Sequence, residues 1–270
     1  GTWKDGVLEP GRALAEGGDV GADLHFSPTL AERSVEVKVG LSFVSLEGAR
    51  ANLEAETGGL DFDRVHADAG EAWEEALGRL RIETPSDDVR TVFTTALYHS
   101  MIMPTHFTDV TGEYLGFERT VGVAHDFTYR TDLSLWDTFR SEHPLLVLIA
   151  PEIQRDSLKS LVRMARIGGS LPRWPSGGGY TGSMFGTPAD MVISESFLKG
   201  ITDFEVDEAY EYMKTTALEA PPPGVRGRSG IADCVSHGYC PADRVKWAVS
   251  RTLEYAWADA SIGWLAEALG

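Results

Sequence analysis

The order of apolar and polar residues divides the chain into a β-like beginning and a helical remainder. Over residues 34–44, apolar side chains occupy every second position, and this period predicts a half-buried strand. A shorter alternation over 21–27 predicts its neighbour, with a hairpin connection at 28–33. Because an isolated pair of strands is not stable, we expect further strands from sequence that precedes residue 1.

Helical spacing begins at Ser45, which can cap the first helix. The Gly-Gly pair at 58–59 interrupts this helix. Apolar residues at helical spacing then predict a second helix from about 62 to 80, and Pro85 follows as a break. Further helices are predicted over 87–103, 143–150, 151–167, 188–199, 206–218 and 243–269.

Three long loops separate these helices, over 104–133, 168–187 and 219–241. Loops of this length in a compact domain usually serve a function or are disordered. The alternation of helices with long loops rich in glycine and aromatic residues is typical of an α/α toroid. The sequence therefore predicts a mainly α fold with a β N-terminal part.

Charge and hydropathy exclude several classes of partner. Lys and Arg number 24 against 41 Asp and Glu, a net charge of −17, which argues against nucleic acid or an anionic membrane as a partner. No apolar run approaches the roughly 18 residues of a membrane span. The first residues lack the basic-then-apolar pattern of a signal peptide, so we expect that such a signal was removed or lies upstream.

The two cysteines, Cys234 and Cys240, share one short polar loop. In an exported protein this arrangement predicts a disulfide. Two free thiols in a reducing compartment remain the alternative. Zinc is not favoured, because His237 would supply only a third ligand and no fourth lies nearby in the sequence.

The first segment with candidate chemistry is 131–140. It places Asp137, Trp136 and Arg140 within one short stretch at the predicted start of a helix. Asp and Arg can make paired hydrogen bonds to neighbouring sugar hydroxyls, and an indole offers a flat face on which a sugar ring can stack. The structural alternative is that Asp137 caps the following helix and pairs with Arg140.

Two further segments carry candidate residues. The glycine-rich stretch 168–182 contains Trp174 and Tyr180 as stacking faces, but it lacks the Gly-Lys-Ser/Thr of a phosphate loop and could equally be a mobile loop. In 252–259, Glu254 and Asp259 are five residues apart and so do not share a helical face. A solvated or helix-bridging role is favoured for this pair over a catalytic one.

Six strings in order resemble glycoside hydrolase family 92, the calcium-dependent exo-α-mannosidases. Together they cover most of the chain from about residue 20. They are Val39-Gly40-Leu41-Ser42-Phe43-Val44-Ser45 followed by Ala49, Asn52-Leu53 and Glu56; Phe93-Thr94-Thr95-Ala96-Leu97-Tyr98-His99-Ser100; Ser134-Leu135-Trp136-Asp137-Thr138-Phe139-Arg140; His143-Pro144-Leu145; Gly169-x-Leu171-Pro172-Arg173-Trp174; and Thr252-Leu253-Glu254-Tyr255-Ala256.

This resemblance implies an N-terminal β-sandwich joined through linker helices to an (α/α)6 toroid. Residues 1–46 would be the end of the sandwich domain, 47–85 the linker helices and 86–270 the first part of the catalytic toroid. The family's strings for the general acid, the base and the calcium site do not occur in this sequence. We therefore expect the catalytic residues and the Ca²⁺ ligands beyond Gly270, and we assign none within the chain.

The resemblance also implies a set of substrate-binding residues. Asp137, with Trp136 and Arg140, is the best candidate for contacts to the terminal mannose. Trp174 and Thr181 would extend this surface. Tyr180 stands where many members carry a Glu, so the resemblance does not carry the polar contact of that Glu over to this chain, and the substrate preference could differ.

The activity implied is calcium-dependent hydrolysis, with inversion, of terminal α-linked mannose, of the α-1,2 type, from glycans. The enzyme would be exported, and the chain's other partner would be the rest of the same polypeptide. One alternative is a complete, non-catalytic helical protein that binds carbohydrate or another partner. A second is a different α/α-toroid glycosidase that uses Asp137 and Asp259. A third is a family member that uncaps mannose-1-phospho-mannose.

Overall fold

A computed structural model describes residues 1–26 and 35–270. The chain forms two compact units, Gly1–Lys38 and Val39–Gly270. The domain limits predicted above, at 1–46, 47–85 and 86–270, stay predictions. Within the described residues, no helix combines the length and the apolar character that a membrane crossing requires.

The first unit contains a three-stranded antiparallel sheet in the order β2-β1-β3, formed by β1 (Thr2–Lys4), β2 (Val7–Glu9) and β3 (Val20–Ala22). Asp5 and Gly6 both have positive φ, the conformation of a two-residue hairpin turn that matches strand twist. Across the sheet, the ring of Trp3 packs directly on Gly21, where a Cβ would lie 2.3 Å from the indole. A larger residue there would displace the ring.

The second unit is mainly helical, and most of the predicted helices are confirmed. Side-chain caps explain where the first three begin: Ser45, Asp61 and Ser86 each accept a backbone N–H three residues on. The helices are α1 (Leu46–Thr57), α2 (Phe62–Leu77), α3 (Asp87–Ser100), α4 (Leu135–Thr138), α5 (Glu142–Ile149), α6 (Pro151–Gly168), α7 (Pro188–Leu198), α8 (Val206–Leu218), α9 (Ile231–His237) and α10 (Ala248–Leu269).

The strand predicted over 34–44 is wrong for residues 35–44, which form no strand. Its apolar side chains are exposed rather than half-buried; Val39 and Leu41, for example, are 72% and 75% exposed. Alternation indicates an extended backbone, but pairing also needs a neighbouring strand. The neighbour predicted over 21–27 is a strand only at Val20–Ala22, and the connection at 28–33 lies outside the described residues.

Side-chain hydrogen bonds hold the end of this extended segment instead. Ser42 Oγ donates to Asp109 Oδ2 (2.6 Å), and Asn52 Nδ2 donates to the other oxygen of Asp109 (2.8 Å) and to the Leu41 carbonyl (2.7 Å). Gly48 makes room for this arrangement, because a Cβ there would lie 2.3 Å from Asp109 Oδ2. Asp109 thus ties the segment and α1 to the loop that follows α3.

The loops predicted between helices contain short paired strands and one further helix. In 104–133, β4 (Thr105–His106) pairs with β7 (Arg130–Thr131), and β5 (Glu113–Leu115) pairs with β6 (Val121–Val123). In 168–187, β8 (Pro175–Ser176) pairs with β9 (Gly179–Tyr180). The loop predicted over 219–241 contains α9, and the last helix begins at Ala248 rather than at 243.

The core of the second unit forms around α6. Its Leu158, Leu161, Val162, Met164 and Ala165 have no exposed surface. Each large apolar side chain buried in this way contributes about 1.5–3 kcal/mol. They pack with residues of α7, α8 and α10 and with Tyr114 and Tyr129 of the 104–133 region, whose rings stack 3.9 Å apart.

A buried polar chain crosses this core. The Nδ1 of His143 lies 2.8 Å from Gln154 Oε1, and Gln154 Nε2 donates to Ser196 Oγ at 2.9 Å. An amide oxygen only accepts, so Nδ1 carries the proton. This chain joins α5, α6 and α7. Burial lowers the pKa of His143 to about 4, so that the ring is neutral in the fold.

A buried cation closes the space between α7, α10 and the loop before α9. Arg228 is 1% exposed. Its guanidinium donates to Thr187 Oγ1 (3.2 Å), to Asp190 Oδ2 (3.2 Å) and to Asp259 Oδ1, and it lies over the ring of Tyr255, 5.0 Å from the centroid. Burial removes the water that would solvate the charged guanidinium, and three oxygen partners and a ring face compensate this loss.

We expect Arg228→Met to lower the free energy of unfolding by about 3–5 kcal/mol, because it leaves the carboxylate of Asp190 buried without its counter-ion. Arg244→Met is the matched control, since the pair of Arg244 with Asp233 is largely exposed and should change stability by less than about 1 kcal/mol. Urea unfolding of both variants checks this. Equal losses in the two would contradict a structural role for Arg228.

We expect His143→Asn to weaken the pH dependence of stability. Below a pH of about 6.5 the unfolded chain takes up a proton on His143 that the folded chain refuses until about pH 4. The wild type therefore loses stability as pH falls through this window, by on the order of 3 kcal/mol in all. Burial raises the pKa of Glu142 to about 7 and that of Asp190 to about 6, and these two groups act in the opposite direction.

The comparison of wild type and variant isolates the histidine from those two carboxyl groups. The stability difference between the two proteins, measured by urea unfolding at several pH values, should shift in favour of the variant between pH 6.5 and 4. A difference that stays constant over this range would show that His143 is not held neutral by the fold.

Candidate functional site

The segment 131–140 places its aromatic and charged side chains around a single turn of helix. In α4 the hydroxyl of Ser134 donates to the carboxylate of Asp137, and the N–H groups of Asp137 and Thr138 donate to the Ser134 carbonyl. Asp137 is exposed, and Trp136 beside it is half-buried. In the part of the chain that the structure describes, no ion pair joins Arg140 to Asp137. The alternative in which these two residues pair is therefore not observed.

Arg140 contacts rings rather than carboxylates. Its guanidinium carbon lies 4.9 Å from the ring centroid of Trp136, 4.4 Å from that of Phe139 and 6.0 Å from that of Trp257. Phe139 and Trp257 meet edge to face at 5.2 Å. Such contacts between a cation and ring faces are worth about 0.5–2 kcal/mol each. They connect α4 to α10 and leave the carboxylate of Asp137 on the outside.

A second link from α4 to α10 runs through Glu254. The indole Nε1 of Trp136 donates to Glu254 Oε1 at 3.2 Å, across 118 residues of sequence. The other oxygen, Oε2, is enclosed and has no hydrogen-bond partner among the described residues. The predicted helix-bridging role of Glu254 agrees with this contact. The spacing of residues in the sequence does not identify Trp136 as the partner of Glu254.

The other carboxylate of that segment, Asp259, accepts from Arg228 Nη1. It therefore belongs to the ion cluster of Arg228 between α7 and α10, at the exposed edge of that cluster. The hypothesis that Asp137 and Asp259 act as a catalytic pair gains no support from this arrangement, because Arg228 occupies one oxygen of Asp259.

The glycine-rich segment forms a hairpin that packs against the residues leading into α4. Asp132 Oδ1 accepts from Ser176 Oγ (2.6 Å) and from the backbone N–H of Gly177 (3.3 Å), and Thr131 Oγ1 donates to the Gly177 carbonyl (2.8 Å). Asp132 has a φ of 58°, a left-handed conformation that Asp tolerates better than most residues. The first and second candidate segments are therefore joined at the hairpin's turn.

Within this hairpin, the predicted site residues make internal contacts. The N–H of Arg173 donates to the hydroxyl of Tyr180 (2.9 Å), and the Tyr180 ring packs edge-on against Phe117 at 5.9 Å. Thr181 Oγ1 donates to the Trp174 carbonyl at 2.8 Å. Burial raises the pKa of Tyr180, so its hydroxyl stays protonated. Trp174 is half-buried, and Thr181 is exposed.

A cavity of about 540 Å³ opens beside the rings of α4 and α10. Its walls are mostly apolar, with Ser194 Oγ as a buried hydroxyl that has no partner among the described residues. Its size is within the range of small-molecule sites. The residues that shape it are Phe139, Arg140, Met191, Ser194, Trp257 and Trp264.

Residues 48–270 match the model of the glycosyl hydrolase family 92 catalytic domain. The chain belongs to glycosyl hydrolase family 92. It is 32% identical over 250 residues to an uncharacterized secreted glycosidase of Arthroderma benhamiae, a match that covers 87% of this chain and 28% of the relative. The resemblance seen in the sequence is thus confirmed, and the alternative of a toroid glycosidase from another family is wrong.

Solved structures of family 92 share this fold. An α-mannosidase of Bacteroides thetaiotaomicron matches with a TM-score of 0.79 at 33% identity, over 85% of this chain and 30% of its own. An inverting mannosidase of the same bacterium matches with a TM-score of 0.79 at 31% identity, over 85% and 31%. The predicted fold class, mainly helical with small sheets, is confirmed. The chain spans less than a third of the length of these relatives.

The described residues contain no cluster of metal-ligating side chains. Within 1–26 and 35–270, no group of three or more His, Cys, Asp or Glu side chains lies close enough together to hold a metal ion. Calcium takes six to eight oxygen ligands, which include backbone and amide carbonyls as well as carboxylates. We therefore derive no step through a metal from these residues.

Cys234 and Cys240 form a disulfide that closes a short loop before α10. Both are buried with Ile231, Val245 and Tyr255 in a small apolar cluster of their own. The N–H of Cys240 donates to Thr252 Oγ1 at 2.9 Å, which attaches this loop to the first turns of α10. The disulfide thus braces the end of the helix that carries Glu254.

We expect the double substitution Cys234→Ser and Cys240→Ser to lower the free energy of unfolding by about 2 kcal/mol, because it releases a loop with a sequence separation of six. Urea unfolding with and without reductant checks this. Reductant should destabilise the wild type by a similar amount and leave the double variant unchanged. A variant as stable as the oxidised wild type would contradict the bracing role.

Proposed function

We propose that this chain carries the mannose-contacting part of a family 92 α-mannosidase, with Asp137 as the residue that binds hydroxyls of the terminal sugar. The observation behind this proposal is the exposed carboxylate of Asp137 beside an indole, Trp136, that is fixed from behind by Glu254 and Arg140. Because the carboxylate of Asp137 forms no ion pair with Arg140, its oxygens can accept hydrogen bonds from two sugar hydroxyls.

The chemistry of mannose suits this arrangement. A carboxylate accepting from neighbouring hydroxyls fixes the orientation of a sugar ring, and an aromatic face beside it covers the ring's apolar side. One solved relative from Bacteroides thetaiotaomicron, 33% identical, is a complex with mannoimidazole. In our proposal Trp174 and Thr181 extend the binding surface, and Tyr180 acts as an apolar wall because its hydroxyl is used within the hairpin.

The reaction proposed for the whole protein is hydrolysis of terminal α-linked mannose, of the α-1,2 type, with inversion and with calcium. An inverting reaction needs an acid and a base carboxylate roughly 6.5–9.5 Å apart. We propose that this pair and the Ca²⁺ ligands come from parts of the polypeptide outside residues 1–270. The family relatives support this division, since the chain matches only 28–31% of their length.

We also propose that the protein is exported. The fungal relative is described as secreted, and the Cys234–Cys240 disulfide suits an oxidising compartment. Glycans with terminal mannose are the proposed partners there. Uncapping of mannose-1-phospho-mannose is the variant reaction that the same contacts would serve.

Binding of methyl α-mannoside to the 270-residue chain, measured by titration calorimetry or ligand-observed NMR, tests the role of Asp137. Asp137→Asn should weaken binding at least about tenfold, because hydrogen bonds to a charged group are worth about 1.5–3 kcal/mol. Asp207→Asn, an exposed Asp at the start of α8, is the control and should leave binding unchanged.

Two further measurements define the limits of the proposal. Methyl α-glucoside should bind more weakly than the mannoside, and equal binding would contradict recognition of mannose. Release of mannose from α-1,2-mannobiose, with calcium and with a chelator, should not occur with this chain alone. Calcium-dependent release would show that the catalytic residues lie within these 270 residues and would overturn the proposed division.

A further inference from the structure

We propose that Glu254 is a positioning residue for the mannose-contacting segment: by holding the indole of Trp136, it limits the orientations that the turn carrying Asp137 can take. This inference rests on the proposed function, because it assigns to Glu254 the task of orienting a sugar-binding carboxylate. Glu254 does not contact the sugar in this scheme and acts only through Trp136.

The segment that carries Asp137 cannot fix its own orientation. The helix α4 has only four residues, and no side chain caps its first turn. A helix of this length is unstable without external contacts, since nucleation is costly and only a few hydrogen bonds repay it. The direction of Asp137 is therefore set by the hydrogen bond from Ser134, by the burial of Leu135 and Phe139 in the main core, and by what Trp136 contacts.

Glu254 stands on an element that is itself well anchored. The helix α10 has 22 residues; Ala258 and Leu265 on it are fully buried, and Leu265 belongs to the main core. The bond from Trp136 Nε1 to Glu254 Oε1, at 3.2 Å, therefore connects the short helix to a rigid support. A hydrogen bond to a charged acceptor is stronger and more directional than a neutral one.

The side chain of Glu254 has little freedom to move. Gly186 lies against it with a φ of 68°, and a Cβ on Gly186 would lie 3.0 Å from Glu254 Oε2 and 3.2 Å from Glu254 Cβ. The enclosed Oε2 has no hydrogen-bond partner among the described residues. The indole N–H is thus the hydrogen-bond donor to this carboxylate among the described residues, and losing it would remove that bond beside an oxygen that already lacks a partner.

One face of α10 touches α4 at two successive positions. Trp257 is three residues after Glu254, so that both lie on the same side of the helix. Trp257 packs on Phe139, and Arg140 lies over both Trp136 and Trp257. The contact of Trp136 with Glu254 and the contacts of Phe139 and Arg140 with Trp257 restrict the rotation of α4 about its axis. In the observed rotation Asp137 is exposed.

The indole N–H signals of the 270-residue chain test the first half of this inference. The chain has seven Trp, and Trp136→Phe identifies the signal of Trp136 in a ¹⁵N spectrum. Glu254→Ala should shift that signal and speed its hydrogen exchange at least about tenfold. Glu254→Gln, whose amide oxygen still accepts, should restore most of the protection. Glu267→Ala, at an exposed position of the same helix, should have no effect.

Affinity for methyl α-mannoside tests the second half. Glu254→Ala should weaken binding by about tenfold, and Trp136→Phe by at least as much, because the indole also faces the sugar. The double variant should bind no more weakly than Trp136→Phe, because Glu254 acts only through Trp136. The other six indole signals, if unmoved, show that each variant is folded.

The possible failures are distinguishable. An unchanged Trp136 signal in Glu254→Ala overturns the inference, whatever the affinity. A shifted signal with wild-type affinity overturns it as well, since Glu254 would then only stabilise the fold. Both results leave the proposed function intact. A wild-type chain that does not bind methyl α-mannoside overturns the proposed function, and the positioning role with it.

Discussion

The geometry of the candidate site depends on a guanidinium that has been taken out of water. Arg228 enters the protein from a loop, and its charge is met by the buried carboxylate of Asp190 and by the carboxylate of Asp259, whose side chain is 55% exposed. Because Arg228 contacts Asp190 on α7 and Asp259 on α10 at the same time, it restricts the distance between these two helices and their rotation about their axes. Gly186, which confines Glu254, directly precedes Thr187, another partner of Arg228. The ion cluster therefore fixes the two elements between which Glu254 is held, and through Glu254 it acts on the proposed mannose-contacting turn.

Local chemistry explains which parts of the fold could be predicted. The helices α1 and α3, capped by Ser45 and Ser86, and α7, which begins at Pro188, carry their start signals in the sequence. A cap or a proline acts within one turn, so it can be recognised locally. The prediction of a strand is wrong over 35–44 because strand pairing depends on a neighbouring strand, which the alternation of apolar and polar residues cannot reveal. The two-residue strands of the 104–133 and 168–187 regions are too short to show any period.

The same distinction applies to the candidate site. Trp136, Asp137 and Arg140 are neighbours in sequence, so their proximity could be predicted from spacing. The hydrogen bond between Trp136 and Glu254 joins residues 118 positions apart. Neither a Trp nor a Glu in the sequence indicates which residue will be its partner. Asp132 was missed for a different reason: its left-handed backbone, which lets its carboxylate reach the turn at Gly177, leaves no mark in the composition. Its position within the candidate segment 131–140 was the only available hint.

The bonds from Asp132 and Thr131 to the hairpin turn have an evolutionary consequence. Two loops that border a binding surface often diversify by insertion and deletion, each at its own pace. In this protein the turn at 176–177 is bonded to residues only a few positions before Asp137. A change in hairpin length would displace both loops together. This connection therefore favours substitution of side chains over insertion or deletion as the way in which the two loops can change.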